Sequence, residues 1–250
     1  MEIRFIERMK SAVGKIGDKR CVVLFDIDGT LLTGPSDGQT AGLMAMHYAA
    51  RAVAGENARY NTIEFAGRTD YQIARLLLQA AGDEHPPPLG VDELVNRYLA
   101  HLGEGVKKRP YIVLGAPRRI VERLRRAGAI VGLGTGNVRA GGAIKLKSAG
   151  IDDLFDMDNG GFGEDGETRA EVLEAGARRL DETRQLPVII VGDTPYDVQA
   201  AHEIGAFCIG VPYRHNDSTV LAKAGADAIV DEIGESLIDV VEQLLKVNRS

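Results

Sequence analysis

Two aspartates near the start of the chain follow an apolar run directly. In the stretch CVVLFDIDGTL, Asp26 and Asp28 come after five apolar residues, and Gly29 follows them. Because residues two apart in a strand point to the same side, both carboxylates should project together where the strand ends. Adjacent carboxylates repel each other unless a cation lies between them, and a divalent metal would be such a cation. The two aspartates alone do not establish a metal site, because Asp-Gly is also a common turn that simply ends a strand.

A second pair of acids follows another apolar run. In PVIIVGDTPYD, Asp193 lies at a predicted strand end and Asp197 follows a turn that contains proline. Asp193 could merely cap the next helix. However, parallel strands end at the same edge of a sheet, and four acids meeting there without a metal would be electrostatically costly. The sequence therefore predicts a metal site that involves Asp26, Asp28, Asp193 and Asp197.

A loop of small residues after another strand could bind an anion. The stretch GLGTGN places the Thr135 hydroxyl and the exposed amides near Gly136 and Asn137 at a strand end. Such groups suit an oxyanion. A loop built of small residues for no functional reason would look the same, so this segment by itself leaves both interpretations open.

An arginine stands where a helix would favour an acid. Arg169 lies in the first turn of a predicted helix in GEDGETRAEVL, although acidic residues suit the dipole at that end better. A guanidinium there could hold a phosphate group with two hydrogen bonds. The alternative is an exposed arginine that pairs with Glu171 or Asp165. We favour the functional interpretation.

The elements that must position these residues alternate between strands and helices. Short apolar runs predict buried parallel strands at 21–25, 129–134, 187–192, 207–211 and 226–230. Helical patterns lie among them at 116–128, 168–182, 197–205 and 235–245. This alternation predicts a doubly wound parallel α/β sheet, with a ligand crevice beyond the carboxyl ends of its strands.

One interval interrupts that alternation. Three segments with apolar residues at helical spacing, 40–55, 70–82 and 91–103, are broken by GDEHPPPLG, whose prolines exclude a helix interior. We therefore expect a core of residues 1–33 and 113–250 with a helical insert over 34–112. Residues 1–19 are expected to form an amphipathic lead-in helix.

Composition narrows the class of partner. The 250 residues are 44% hydrophobic with a formal net charge of -6, which suits a packed core and offers no broad basic face for nucleic acid or acidic lipid. The amino terminus lacks a secretory apolar region and no apolar run approaches a bilayer span, so we expect a cytoplasmic protein. Cys21 and Cys208 fall in interior strands, where we expect reduced thiols. A small anionic substrate fits best.

The segments DIDGTL, GTGN, Arg169 and GDTPYD resemble, in order and spacing, the four motifs of the haloacid dehalogenase superfamily of aspartate-nucleophile phosphatases. The helical insert resembles the cap of its phosphoglycolate phosphatase and β-phosphoglucomutase branch. Thr135 replaces the commoner serine and keeps the hydroxyl. The third motif departs from the usual lysine, so Lys145 and Lys147 are further candidates beside Arg169.

This resemblance implies roles for the motif residues. Asp26 would attack phosphorus and form an aspartyl-phosphate, and Asp28 would serve as general acid and base. Thr135 and Arg169 would hold the transferring phosphoryl oxygens, with Gly136 and Asn137 beside them.

A metal and a substrate-selecting cap follow from the same resemblance. Mg²⁺ would be bound by Asp26, the Asp28 carbonyl and Asp193, with Asp197 orienting or joining the ligands. Arg68, just before a helix start in the cap, could contact a polar or anionic part of a small phosphorylated metabolite, or it could pair within the cap. The oligomeric state is left open.

Other functions compete with phosphate hydrolysis. A sugar-phosphate mutase shares every catalytic residue, and the sequence does not exclude it. A 2-haloacid dehalogenase needs neither Asp28 nor a metal. A receiver module that accepts a phosphoryl group is about half this length and has no helical insert.

Overall fold

The structure is a computed structural model that describes residues 20–55, 63–214 and 216–247. The lead-in helix expected over residues 1–19 lies outside these ranges. Strands occupy β1 Cys21–Phe25, β2 Leu32–Thr33, β3 Ile112–Val113, β4 Ala129–Leu133, β5 Val188–Gly192, β6 Phe207–Gly210 and β7 Ala228–Ile229. Helices occupy α1 Ala41–Ala54, α2 Asp70–Ala80, α3 Pro88–Lys108, α4 Pro117–Arg126, α5 Arg139–Ser148, α6 Arg169–Leu180, α7 Pro195–Glu203, α8 Ser218–Ala224 and α9 Glu235–Val247.

Five strands form one parallel sheet in the order β4-β1-β5-β6-β7. Every residue of β1 and β5 is buried, as expected for central strands covered on both faces. At the carboxyl end of β1, Phe25 is in register with Leu133 of β4 and Val191 of β5. The segments that follow these three strands therefore emerge side by side at one edge of the sheet.

Helices cover both faces of the sheet. Val23 and Phe25 of β1 belong to a core cluster that includes residues of α4, α5 and α9. Val22 and Leu24 point the other way, into a second cluster with residues of α6, α7 and α8. The predicted doubly wound parallel sheet is confirmed, because the alternation of side chains along one strand serves two apolar layers.

Helices α1 to α3, here called the cap, lie between β2 and β3. These two short strands pair antiparallel, Leu32 with Val113 and Thr33 with Ile112. The predicted boundaries after residues 33 and 112 fall on this pair. Helix α3 begins at Pro88, three residues earlier than its apolar pattern indicates, because proline at the first helical position has no N–H that needs a partner.

Within the described ranges, no helix has both the length and the apolar character needed to cross a membrane.

Candidate active site

A cavity of ≈ 570 Å³ opens at the carboxyl ends of β1, β4 and β5, beneath the cap. It is lined by every residue that the sequence placed in the site: Asp26, Asp28, Arg68, Thr135, Gly136, Asn137, Arg169, Asp193 and Asp197. Lys145 lines it as well, whereas Lys147 is exposed on the other side of α5. Parallel strand ends thus bring together residues that are up to 171 positions apart, the separation of Asp26 and Asp197.

Arg169 joins two of the aspartates. Its Nη2 lies 2.8 Å from Asp26 Oδ1 and 2.7 Å from Asp197 Oδ1, and all three side chains are buried. Arg169 reaches them because it is the first residue of α6, directly after the N-cap Thr168. The guanidinium of Arg169 therefore contacts the Asp26 carboxylate directly.

The surface partners that Arg169 might have had are engaged elsewhere. Glu171 accepts hydrogen bonds from the Thr168 and Glu167 amides, and Asp165 pairs with Arg179. Among the described residues, Arg169 Nε is the buried side-chain polar atom that has no hydrogen-bond partner. Because buried polar atoms are rarely left unsatisfied, this N–H is an unmet donor beside the Asp26 carboxylate.

Three carboxylates cluster in a way that suits a metal ion. Oxygens of Asp26, Asp193 and Asp197 all lie within 4.8 Å of one another. Burial raises the pKa of Asp26, against the opposing effect of Arg169, and Asp197 adds to the rise. Burial together with Asp197 and Asp26 raises the pKa of Asp193 well above its usual range. A divalent cation with hard oxygen ligands would relieve this repulsion, so these side chains fit one.

Gly29 allows Asp193 to approach the end of β1. Its φ is +85°, in the region that favours glycine, and a Cβ at this position would lie 2.3 Å from Asp193 Oδ2. The turn after Asp28 therefore needs a residue without a side chain, because the carboxylate of Asp193 occupies the space that a side chain would fill.

Asp28 turns away from the cluster and joins a separate network. Its Oδ2 accepts hydrogen bonds from Lys145 Nζ at 2.6 Å and from Asn137 Nδ2 at 2.8 Å. Asn137 Nδ2 also donates to Thr135 Oγ1 at 2.8 Å, and Asn137 Oδ1 accepts from Lys145 at 2.6 Å. Since Thr135 Oγ1 accepts this bond, its own hydrogen can be donated into the cavity.

Sequence reasoning offered Lys145 only as a substitute for Arg169, and the structure places it on Asp28 instead. Burial disfavours its charge, but Asp28, with Tyr111, Tyr98 and Asp70, outweighs this and raises the pKa of Lys145 well above its usual range. A signal was present in the sequence: Lys145 is in phase with Gly141, Gly142 and Leu146 on the buried face of α5, where a lysine is unusual.

Asp70 connects the cap to the loop that follows β4. The Asp70 amide donates to the Gly136 carbonyl at 2.8 Å, and the Val138 amide donates to Asp70 Oδ2 at 2.9 Å. Asp70 is the first residue of α2 and is buried. These two bonds flank Asn137, so the cap residue and the loop order each other. Nothing in the local sequence pattern indicated this contact.

We predict that Asp70 makes stability depend on pH. Burial raises the pKa of Asp70 to about 6, which Lys145 and the Val138 amide reduce in part and Asp28 and Glu164 increase. Between about pH 4 and 6 the folded protein then binds more protons here than the unfolded chain does, so stability falls as pH rises. In Asp70→Asn this loss disappears, so between pH 4 and pH 7 the unfolding free energy of the variant should rise relative to that of the parent by roughly 2 kcal/mol.

Urea unfolding at pH 4 and pH 7 measures that change. Asp239→Asn, at an exposed position on α9, is the matched control and should follow the parent at both pH values. A parallel pH dependence of Asp70→Asn and the parent would contradict the prediction.

Arg68 lies on the cap side of the cavity. Its Nε donates to the Glu64 carbonyl at 2.9 Å, so one edge of the guanidinium is used within the cap. Both interpretations of Arg68 therefore have support: it pairs within the cap and it also lines the cavity. Its contact with substrate stays a prediction.

The fold and the cavity define the class of the protein: a capped α/β enzyme whose site is built from carboxylates at the ends of parallel strands. Residues 22–205 match the family described as haloacid dehalogenase-like hydrolase, and the chain belongs to that family. The resemblance stated from the four motifs is thus confirmed.

Similar proteins agree with this assignment. A curated phosphoglycolate phosphatase of Salmonella typhi is 28% identical over 238 residues. The match covers 86% of this chain and 90% of that protein. A hydrolase from Pseudomonas syringae has the same fold, with TM-score 0.67 at 19% identity, covering 89% of this chain and 99% of its own. A β-phosphoglucomutase from Clostridium difficile does so with TM-score 0.65 at 15% identity, covering 91% and 97%.

Proposed function

We propose that the protein is a Mg²⁺-dependent phosphatase that hydrolyses a small phosphorylated metabolite through an aspartyl-phosphate on Asp26. The observation that carries the proposal is the buried Arg169 guanidinium, 2.8 Å from Asp26 and with an unused N–H, in a cavity that Thr135 also lines. A carboxylate nucleophile beside fixed donors is the arrangement that phosphoryl transfer needs, because its transition state spreads charge over the phosphoryl oxygens.

The reaction divides into two displacements. First, a carboxylate oxygen of Asp26 bonds to phosphorus while the bond to the substrate oxygen breaks, and Asp28 gives its proton to that leaving oxygen. Then water attacks phosphorus, and Asp28 takes a proton from that water. The bond between phosphorus and the Asp26 oxygen breaks, which restores the Asp26 carboxylate. The sum is an alcohol and inorganic phosphate, and Asp28 ends as it began.

Asp26 and Asp193, with the Asp28 carbonyl, would hold Mg²⁺. When bound, the ion supplies charge neutralisation between the carboxylates and the phosphoryl group. Asp197 is better placed to orient Arg169, because its Oδ1 accepts from Arg169 and its Oδ2 accepts from the Thr194 amide and hydroxyl. Of the two roles considered for Asp197, we therefore propose that it orients Arg169 and does not bind the metal.

We predict that Mg²⁺ stabilises the fold even without substrate. Binding to the folded state alone adds about 2.7 kcal/mol when the ion is at a hundredfold excess over its Kd, so the melting temperature of metal-free protein should rise on titration with MgCl₂. Asp193→Asn removes one anionic ligand and should abolish the rise. Asp227→Asn, a buried acid outside the cavity, should retain it. An equal rise in Asp193→Asn and the parent would contradict the site.

Release of inorganic phosphate from a panel of small phosphomonoesters tests the function. We would include 2-phosphoglycolate, because the curated relatives are phosphoglycolate phosphatases, together with sugar phosphates and triose phosphates. Turnover of at least one compound, lost in Asp193→Asn, supports the proposal. Conversion of one sugar phosphate to its isomer without release of phosphate would favour the mutase, and no turnover of any compound with Mg²⁺ would overturn the phosphatase.

A further inference from the structure

Lys145 is a buried cation whose ion pair is with Asp28, the proposed acid and base. The Lys145 side chain is 7% exposed, whereas the Asp28 side chain is 43% exposed and faces the cavity. Burying an ammonium group costs several kcal/mol unless hydrogen bonds compensate for the lost water. Here Asp28 Oδ2 and Asn137 Oδ1, each 2.6 Å from Nζ, provide that compensation.

The two oxygens of Asp28 differ in their surroundings. Both donors, Lys145 Nζ and Asn137 Nδ2, bind Oδ2. Across the described residues, no hydrogen bond is made to Oδ1. One oxygen is therefore anchored from the protein side, and the other is left to exchange a proton with a ligand in the cavity. A carboxylate held in this way keeps a single orientation, which is what repeated proton transfer at a fixed distance requires.

Lys145 is itself held in place by the core and the cap. Its Nζ lies 5.5 Å from the centre of the Tyr111 ring. Gly42, near the start of cap helix α1, donates its amide hydrogen to Tyr111 Oη at 3.1 Å. A Cβ at residue 42 would lie 2.8 Å from that oxygen and 3.4 Å from Lys145 Cε, so the cap packs closely against this lysine. The ammonium has little room to move toward a phosphoryl group.

We propose that Lys145 is a positioning residue for the proton transfers of Asp28. It anchors Oδ2 directly and also through Asn137, whose amide it orients by occupying the carbonyl oxygen. Lys145 does not touch the substrate. The role rests on the proposed function, because it acts on a step of that reaction.

A double-mutant cycle with Asp28→Asn tests this role. On an alkyl phosphate, Lys145→Met should lower kcat by about 10²-fold with little change in KM, because the acid is present but misplaced. In the Asp28→Asn background the same substitution should cost nothing further, because the group that it positions is already absent. Lys147→Met, two residues along the same helix and exposed, should behave like the parent.

Three results would overturn the role. Losses that multiply in the double variant would mean that Lys145 acts independently of Asp28. A raised KM with unchanged kcat would mean that it binds the phosphoryl group. Full activity of Lys145→Met beside an impaired Asp28→Asn would mean that the anchor is unnecessary. If Lys145→Met does not fold, Lys145→Gln, which keeps an N–H donor, replaces it in the double-mutant cycle. Inactivity of the parent toward every phosphomonoester would instead refute the proposed function.

Discussion

Asp26→Asn is expected to abolish turnover and covalent phosphorylation together, with a loss in kcat on the order of 10⁶-fold, the scale known for removal of a catalytic nucleophile. An amide is a poor nucleophile toward phosphorus, and no other described carboxylate stands beside Arg169 with its face open to the cavity: Asp197 accepts bonds at both oxygens. The substitution should leave the fold intact, because the amide oxygen can still accept from Arg169.

Two measurements check this expectation. Steady-state release of phosphate gives kcat, and intact-protein mass spectrometry after rapid acid quench shows whether a phosphoryl group is attached. A melting temperature at or above that of the parent confirms folding, since burial disfavours the charge that is removed. A phosphoryl adduct on Asp26→Asn would show that the nucleophile lies elsewhere.

The second large effect is expected for Asp28→Asn, which should behave differently from Asp26→Asn. With an aryl phosphate, whose phenolate leaves without help from an acid, Asp28→Asn should still form the aspartyl-phosphate at a reduced rate. Hydrolysis of that intermediate then lacks its base, and overall turnover should fall by about 10²- to 10⁴-fold. The phosphoenzyme should accumulate.

The same quench experiment detects the intermediate. A mass increase of one phosphoryl group is expected in Asp28→Asn and not in Asp26→Asn or in the double variant. The amide oxygen introduced by Asp28→Asn can still accept from Lys145 and keep the loop in place, and the Mg²⁺-dependent rise in melting temperature shows that the metal site persists. Turnover of an alkyl phosphate by Asp28→Asn at the parent rate would contradict this division of labour.

The sheet and the four site segments could be predicted because their signals are local. Apolar runs of five residues mark β1 and β5, and Asp26 and Asp193 follow them directly, so the topology of a parallel sheet is enough to bring both acids to one edge. Arg169 was found by a local anomaly, a cation at the start of a helix.

The contacts of Lys145 and Asp70 could not be predicted in the same way. Lys145 meets Asp28 across 117 positions, and Asp70 meets the Val138 amide across 68. Helical periodicity predicts which face of α5 or α2 is buried, but it does not predict which residues of other elements that face contacts. The Asp70 contact depends on how the cap packs on the core, and the Lys145 contact depends on how α5 packs beside the end of β1. A single sequence specifies neither packing directly.

The attachment of the cap at Asp70 has an evolutionary consequence. The bond from the Asp70 amide to the Gly136 carbonyl is made by main-chain atoms, and its neighbour uses one carboxylate and the Val138 amide. The apolar cap residues that face the cavity, among them Leu43, Met46 and Ile73, take no part in either bond. Substitution of those apolar side chains could therefore suit a different leaving group, while the two bonds at Asp70 still hold the cap against the loop after β4. Such a separation would let the cavity lining change while the contact between the cap and the loop after β4 stays the same.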